Sequence, residues 1–395
     1  MRVVIVGGSL AGIRAAEALR REGHDGEIVL VGAEAHLPYD RPPLSKQVLA
    51  GTMDPADLEL PFDAGADIEF RLSTRAGGLD LQRRRVVLDP GGELPYDGLI
   101  IATGAHPRTL PGLPELAGVH LLRTLDDCLA IRQALRAEPR VAVVGAGFIG
   151  SEVAATCHGL GLDVTVIEAL PVPLGRAVGE TVGRRCGQLH VDHGVQLRLG
   201  VGVTGLVGGT RVEGVRLADD SVVPADLVVI GVGVAPATEW LAGSGVDLDN
   251  GVRCDEWCRV LSDGVPVPGV VAAGDVANGH SVSLGRPTRV EHWTNAVEQA
   301  EAAAATIIRP GESPPFDPIP YFWSDQYSTK IQFVGEIDND DRMQVLEGSL
   351  DDERFVVGWT RQDRLVAALG FSRPGRVMHY RNLITAGSPW PLLPA

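Results

Sequence analysis

A chain of 395 residues is long enough for two or three domains, each with its own core. Hydrophobic residues make up 45% and charged residues 22%, the balance of an ordinary globular protein. The net charge of −16 excludes a general nucleic-acid surface, because phosphate binding needs a basic field, and no apolar run approaches the roughly 20 residues that cross a bilayer.

The first predicted element is the strand Val3–Val6, which starts at once and leaves no room for a signal peptide. A glycine turn, Gly7-Gly8-Ser9-Leu10-Ala11-Gly12, leads into an amphipathic helix. Ile13, Ala16 and Leu19 share one face of it, with Arg14, Glu17, Arg20 and Arg21 largely outside. Gly23-His24-Asp25-Gly26 breaks the helix, and Ile28–Val31 is a second strand. Residues 38–46 read as a polar, proline-rich loop. Alternation over 68–101, interrupted at Pro90-Gly91-Gly92, predicts short strands of an accessory sheet. It ends on Leu99-Ile100-Ile101, a buried strand running into the tight turn Ala102-Thr103-Gly104. Pro107, Pro111 and Pro114 then mark a boundary.

The plan repeats. Val141–Val144 reads as a strand, 149–160 as a helix and Val164–Glu168 as a strand, with a further helix over 180–193. Short strands at 195–199, Val212–Leu217 and Leu227–Ile230 close this unit. Two copies at so wide a period are a duplicated fold, not a solenoid. After Gly243, Val270-Val271-Ala272-Ala273 is a buried strand ending on Gly274-Asp275, and 298–308 is an Ala-rich helix. Residues 310–320 carry five prolines and read as a linker. The remainder, with alternating runs at 331–334, 354–359 and 365–369 and a helix over 377–385, predicts an α+β domain with two or three strands.

The second glycine turn, Gly145-Ala146-Gly147-Phe148-Ile149-Gly150, is the regular one. Gly145 allows the tight turn, Gly147 lets backbone approach a pyrophosphate, and Gly150 allows close helix–strand packing. The helix N-terminus faces the phosphates with unpaired N–H groups and partial positive charge. Glu168 ends the next strand, 18 residues after Gly150, where an acid accepts the ribose hydroxyls and repels a 2′-phosphate. NADH is therefore expected over NADPH. In the first turn Ser9 replaces the middle glycine, so the turn must give its side chain space or use the hydroxyl as a donor. Glu34 stands at the ribose position with Ala33 before it, and the strand-end carboxylate of Asp275 can hold the ribityl chain of FAD. Two such sites can hold two dinucleotides and pass electrons between them. His190 and His193 share a predicted helix without a carboxylate cluster and read as surface residues. The five cysteines, Cys128, Cys157, Cys186, Cys254 and Cys258, form neither a Cys-x-x-Cys pair nor a zinc pattern. They read as packing residues of a reduced protein, and no metal is expected.

Several strings together resemble the FAD-dependent NADH:ferredoxin reductase family, over nearly the whole chain. They are Pro38-Tyr39-Asp40-Arg41-Pro42-Pro43-Leu44-Ser45-Lys46, Ala102-Thr103-Gly104, Arg123-Thr124-Leu125, Ala272-Ala273-Gly274-Asp275, Glu291-His292-Trp293-Thr294-Asn295-Ala296 and Tyr321-Phe322-Trp323-Ser324-Asp325-Gln326. The resemblance implies an α/β fold of glutathione-reductase-like architecture. It has two Rossmann-like dinucleotide-binding domains, for FAD and NAD, and a C-terminal α+β domain. The expected bounds are 1–112 with 243–313 for FAD, 113–242 for NAD and 314–395 for the last domain.

The residues implied for FAD are Gly7, Ser9, Ala11, Gly12, Ala33, Glu34, Arg41, Lys46, Ala76, Thr103, Gly104, Arg123, Gly274, Asp275 and Trp293. Those for NAD(H) are Gly145, Gly147, Ile149, Gly150, Glu168 and Gly233. Lys46 and Trp323 are the candidate catalytic residues. By the resemblance, Lys46 sits beside the isoalloxazine, where a cation favours the anionic reduced flavin, and Trp323 lies close to the flavin. Ala33 departs from the family pattern by replacing a more usual acid, leaving Glu34 as the ribose partner; Trp293 stands where relatives vary.

The implied reaction passes a hydride from NADH to FAD, then single electrons to a [2Fe-2S]-type ferredoxin serving a cytochrome P450 or a Rieske oxygenase. Rubredoxin, quinone or monodehydroascorbate-type reduction, or a non-enzymatic NADH-responsive interaction protein, are the alternatives. A disulfide reductase is disfavoured, since no cysteine precedes Cys128. A basic docking patch is expected from Arg41, Arg286, Arg289, Lys330, Arg373 and Arg376. The protein is expected in the cytoplasm, as a monomer or homodimer, with neither nucleic acid nor membrane as partner.

Overall fold

The computed structural model describes residues 1–390. They form two compact units, the first from residues 1–40, 58–106 and 235–320, the second from 41–57, 107–234 and 321 onward. Residues 41–57 thus leave the first unit and pack with the second.

In the first unit Val3–Val6 lies between Ile28–Val31 and Gly98–Ile101, parallel to both. Val265–Ala272 continues the sheet beyond Gly98–Ile101. These central strands are covered on both faces, so they read as unbroken β-branched runs, not as alternation. Leu10–Arg21 and Trp293–Ile308 pack one face through Ile13, Ala15, Leu19, Ala300 and Ala304. A three-stranded antiparallel sheet, Arg75–Asp80, Arg85–Asp89 and Glu93–Pro95, lends Leu79, Val86 and Leu88 to the core under the other face.

The structure corrects three expectations in this unit. Ile68–Arg71 is the edge strand of the main parallel sheet, paired with Ile28–Val31, and not part of the accessory sheet. An edge strand is half-exposed, so it carries the same alternating pattern as the accessory strands. The helix expected from 298 begins at Trp293. Its first turn is rich in poor helix formers, but Asn295 is buried and donates to the Val290 carbonyl (3.1 Å) and to Gln299 Oε1 (3.3 Å). Residues 310–320 are a fastened strap, not a free linker. Trp257 Nε1 donates to the Ser313 carbonyl (3.0 Å), Phe316 N–H to the Glu256 carbonyl (2.6 Å), and Ser281 Oγ to Asp317 (2.8 Å).

The second unit holds a five-stranded parallel sheet in the order Gln196–Leu199, Val164–Glu168, Val141–Val144, Leu227–Ile230, Val119–Leu121. The helix expected from 180 starts at Gly175, with a break at Gly179 (φ 75°) that separates its first turn from the predicted run. A second, antiparallel sheet follows the order Tyr321–Gln326, Thr329–Gly335, Arg364–Phe371, Phe355–Arg361, Arg342–Glu347. It has five strands where two or three were expected. Tyr321–Gln326 turns Ser324 and Gln326 inward beside Phe322, which hides its period, and Arg342–Glu347 is a half-exposed edge. Phe322, Phe333, Phe355, Trp359 and Phe371 form the core beneath, closed by Val178, Val182, Cys186 and Leu189 of the helix Gly175–Asp192. The predicted loop 38–46 contains a 3-10 turn, Pro42–Ser45, followed by the short helix Gln47–Ala50. Proline at the first helical position sets φ for the turn, and Gly51 in the left-handed region ends the helix.

Candidate functional site

In the second unit the strand Val141–Val144 runs into Gly145, whose φ of 100° is open to glycine alone. A Cβ there would lie 2.3 Å from the Gly231 carbonyl oxygen, and one at Gly150 would lie 2.0 Å from that of Gly145. Both glycines are demanded by the fold. Gly147 is different. Its φ of −74° suits any residue, and a Cβ on it would meet nothing within 4 Å. It caps the helix Phe148–Gly159 without a side chain, leaving the helix N-terminus bare to an approaching anion. Glu168 closes the neighbouring strand, and its carboxylate accepts from the N–H groups of Ala146 and Leu170, each at 2.8 Å. The acid is held against the turn by backbone donors. Ile149 is 37% exposed on the first helical turn, and Gly233 (φ 98°) has open space around it. These residues stand at the carboxyl ends of the strands where the sheet order reverses, and they fit a dinucleotide.

The first unit repeats this with one change. Gly7 (φ 130°) and Gly12 are both required, since their Cβ atoms would lie 2.0 Å from the Ala102 oxygen and 1.9 Å from the Gly7 oxygen. Ser9 occupies the place equivalent to Gly147 with extended backbone (φ −131°), so a side chain costs no strain there. Gly274 (φ 77°) approaches this turn closely: a Cβ on it would lie 3.0 Å from Ala11 Cβ. Its N–H donates to the buried Gln299 Oε1 at 2.9 Å. The Gly274-Asp275 strand end therefore reaches the first glycine turn, and the residues fit a second dinucleotide. Glu34 accepts from the buried Tyr39 hydroxyl, and Ala33 is exposed beside it. Trp293 Nε1 donates to Asp40 Oδ1 (2.8 Å), and Thr103 Oγ1 to the Ala237 carbonyl (2.8 Å) next to Gly104. Ala76 packs against the core beneath the accessory sheet. Burial pushes His292 down to about 4, against the opposing pull of Asp275.

Lys46 lies in the second unit, at the joint between the 3-10 turn and the short helix. Its ammonium donates to Glu152 Oε2 at 2.9 Å, with side-chain exposures of 13% and 7%. It is not a solvated loop lysine. The same oxygen accepts from Ser45 Oγ, while Oε1 accepts from Ser324 Oγ (2.9 Å) and Asp325 N–H (3.2 Å). Glu152 thus joins Lys46 to the strand carrying Trp323. Trp323 itself is half-buried beside Tyr321, ring centroids 6.1 Å apart. Arg41 and Arg123 are also brought together, Arg41 Nη1 donating to the Arg123 carbonyl at 2.7 Å. Sequence reasoning missed Glu152. Its only signal was an acid two residues after the last glycine of the turn, on a helix otherwise apolar there.

Two surface readings do not survive. His190 is fully buried, sharing a 2.7 Å hydrogen bond with the Tyr327 hydroxyl, because helix Gly175–Asp192 is covered by the antiparallel sheet. His193 is half-buried and stacked on the Tyr327 ring at 3.8 Å. Three of the six residues expected in the basic patch are paired with acids: Arg289 with Glu291, Lys330 with Asp325 and Arg376 with Glu347, at 2.6, 2.7 and 2.6 Å. All five cysteines are free thiols and buried. Burial pushes Cys128 up to about 11 and Cys157, Cys186 and Cys258 to about 12. Among the described residues no group of three or more His, Cys, Asp or Glu side chains could hold a metal ion, and no helix is long and apolar enough to cross a membrane.

Residues 1–300 match the family model described as pyridine nucleotide-disulphide oxidoreductase, and residues 321–392 that described as reductase C-terminal. The chain is 36% identical over 396 residues to rhodocoxin reductase of Rhodococcus erythropolis, covering 98% of this chain and 90% of that one. It is 38% identical over 395 residues to the ferredoxin–NAD(+) reductase component of the anthranilate 1,2-dioxygenase system of Burkholderia cepacia, covering 98% and 94%. Among solved structures, a chain of the covalent putidaredoxin reductase–putidaredoxin complex superposes with a TM-score of 0.92 at 35% identity, covering 98% and 94%.

Proposed function

We infer the function from the premise that this chain belongs to the pyridine nucleotide-disulphide oxidoreductase family and carries its reductase C-terminal domain. It is an FAD-dependent ferredoxin–NAD(+) reductase, the electron-input component of a cytochrome P450 or Rieske oxygenase system. Its cofactors are FAD and NAD(H), and its protein partner is a ferredoxin. We place it in the cytoplasm. One observation carries the direction of electron flow: two dinucleotide turns share a chain whose cysteines are all buried, protonated thiols. A buried thiol with a raised pKa is a poor nucleophile, so electrons leave to a separate carrier.

Bound FAD would supply the chemistry that links a two-electron hydride donor to a one-electron acceptor. The chain's residues bind and orient. Gly145, Gly147 and Gly150 present the helix N-terminus to the pyrophosphate of NADH. Glu168, fixed by two backbone N–H groups, accepts ribose hydroxyls and repels a 2′-phosphate. Gly7, Ser9, Ala11, Gly12 and Glu34, with Asp275, would hold FAD in the first unit. By the family resemblance Lys46 would be the lysine beside the flavin, and its ammonium is held by Glu152. No proton relay is needed, since hydride transfer depends on placement of the reacting atoms.

The test is reconstitution. NADH reduces ferricyanide with the FAD-loaded protein alone, and reduces cytochrome c only when a [2Fe-2S] ferredoxin is added. Cytochrome c reduction that is indifferent to every ferredoxin in a panel of P450 and dioxygenase types, or flavin reduction that stalls with NADH alone, overturns the reading.

A further inference from the structure

Lys46 sits at a break in a helix. The 3-10 turn Pro42–Ser45 ends there, the helix Gln47–Ala50 begins, and the backbone of Lys46 (φ −127°, ψ −101°) belongs to neither. The carbonyls at the end of such a turn need partners. Two consecutive ones find them on side chains from two different helices. The Leu44 carbonyl accepts from Cys128 Sγ (3.1 Å) of helix Leu125–Leu135, and the Ser45 carbonyl from Thr156 Oγ1 (2.8 Å) of helix Phe148–Gly159. Thr156 and Glu152 are four residues apart, hence on one helix face. One grips the backbone just before Lys46 and the other grips its ammonium. The same helix is capped by Gly147, about five residues and 7–8 Å of rise from Glu152.

We propose that Thr156 is a positioning residue for Lys46. By fixing the Ser45 carbonyl it sets where the Lys46 ammonium meets Glu152, and so where the charge stands toward the flavin. The proposal rests on reading Lys46 as the flavin-side lysine. A threonine hydroxyl on a helix commonly bonds back to its own helix backbone; here it is spent on another segment, which a packing role would not require.

The test compares Thr156→Val, which keeps the shape and removes the donor, with Thr156→Ser, which keeps the donor. Both are purified with FAD bound, beside wild type and Lys46→Gln. Two readouts are taken: the rate of Lys46 acetylation by acetic anhydride, followed by peptide mass, and the midpoint potential of the bound flavin. Thr156→Val should acetylate roughly three- to tenfold faster at Lys46, the effect of one lost hydrogen bond. Its flavin potential should move to more negative values, in the same direction as that of Lys46→Gln. Thr156→Ser should restore both. An unchanged acetylation rate in Thr156→Val overturns the positioning role. So does a faster rate with an unmoved potential, if Lys46→Gln does move it. If Lys46→Gln leaves the potential where it was, the reading of Lys46 itself fails, and the acetylation rates alone then decide for or against the positioning role of Thr156.

Discussion

The three glycines of the second turn look alike in sequence and do different work. Gly150 is required by the fold, because a Cβ would lie 2.0 Å from the Gly145 oxygen. Gly150→Ala should destabilise the protein by at least about 2 kcal/mol in urea unfolding, since backbone cannot yield as a flexible side chain can. Gly147 meets nothing of its own chain. Gly147→Ala should leave stability within about 0.5 kcal/mol, yet raise KM for NADH several-fold, because the methyl group stands where the pyrophosphate approaches. An unchanged KM would remove Gly147 from the site. The glycine positions and Glu168 were legible because a dinucleotide turn demands residue types at set spacings. Glu152 was not. An acid on a helix ordinarily faces water, and only the packing of residues 41–57 and 321–326 around it buries its carboxylate. Removing one partner of so buried a pair strands the other charge, so Lys46→Met should cost about 3–5 kcal/mol in urea unfolding, and Lys46→Met with Glu152→Gln much less. Equal losses in the single and double variants would show that the pair is not coupled.

At the scale of elements, the helix Gly175–Asp192 meets the hairpin of Tyr321–Gln326 and Thr329–Gly335 through His190 and Tyr327. Burial, helped by the neighbouring His193, pushes His190 down to about 4, and burial pushes the Tyr327 phenol up. The sign follows. Above pH 6.5 both folded and unfolded chains carry a neutral His190. Between 6.5 and about 4 only the unfolded chain takes the proton, so stability falls as pH falls, by about 3 kcal/mol across that window. His190→Asn should flatten this part of the urea-unfolding profile; a profile as steep as wild type would mean other groups govern it. The same joint explains a misreading. The sequence placed His190 and His193 on one helix, but which side of it meets the antiparallel sheet is set by residues more than a hundred positions later. Strands buried on both faces declared themselves as β-branched runs, whereas the edge strands Ile68–Arg71 and Arg342–Glu347 did not. Half-exposed edges share their pattern with accessory sheets and loops.

For the whole molecule, two compact units each hold a dinucleotide turn. A ligand that binds only the folded form stabilises the unit that holds it. Saturating NAD(+), at about a hundred times its Kd, should stabilise the second unit by about 2.7 kcal/mol, read by hydrogen exchange in the strand Val141–Val144. Protection gained only in Val3–Val6 would assign the two turns the other way round. From sequence alone came the duplicated strand–turn–helix plan, the regular turn with Glu168, the degenerate turn with Ser9, and cysteines too scattered for a thiol centre. These depend on local rules, in which a residue's neighbours along the chain settle its conformation. Only the tertiary structure decided that Lys46 is paired and not solvated, that Glu152 holds its ammonium while Thr156 holds the Ser45 carbonyl before it, that His190 is interior, and that three of the six expected patch residues are matched by acids. Each of these turns on contacts between segments distant in sequence, and burial converts the same side chain from a solvated group into a fixed one.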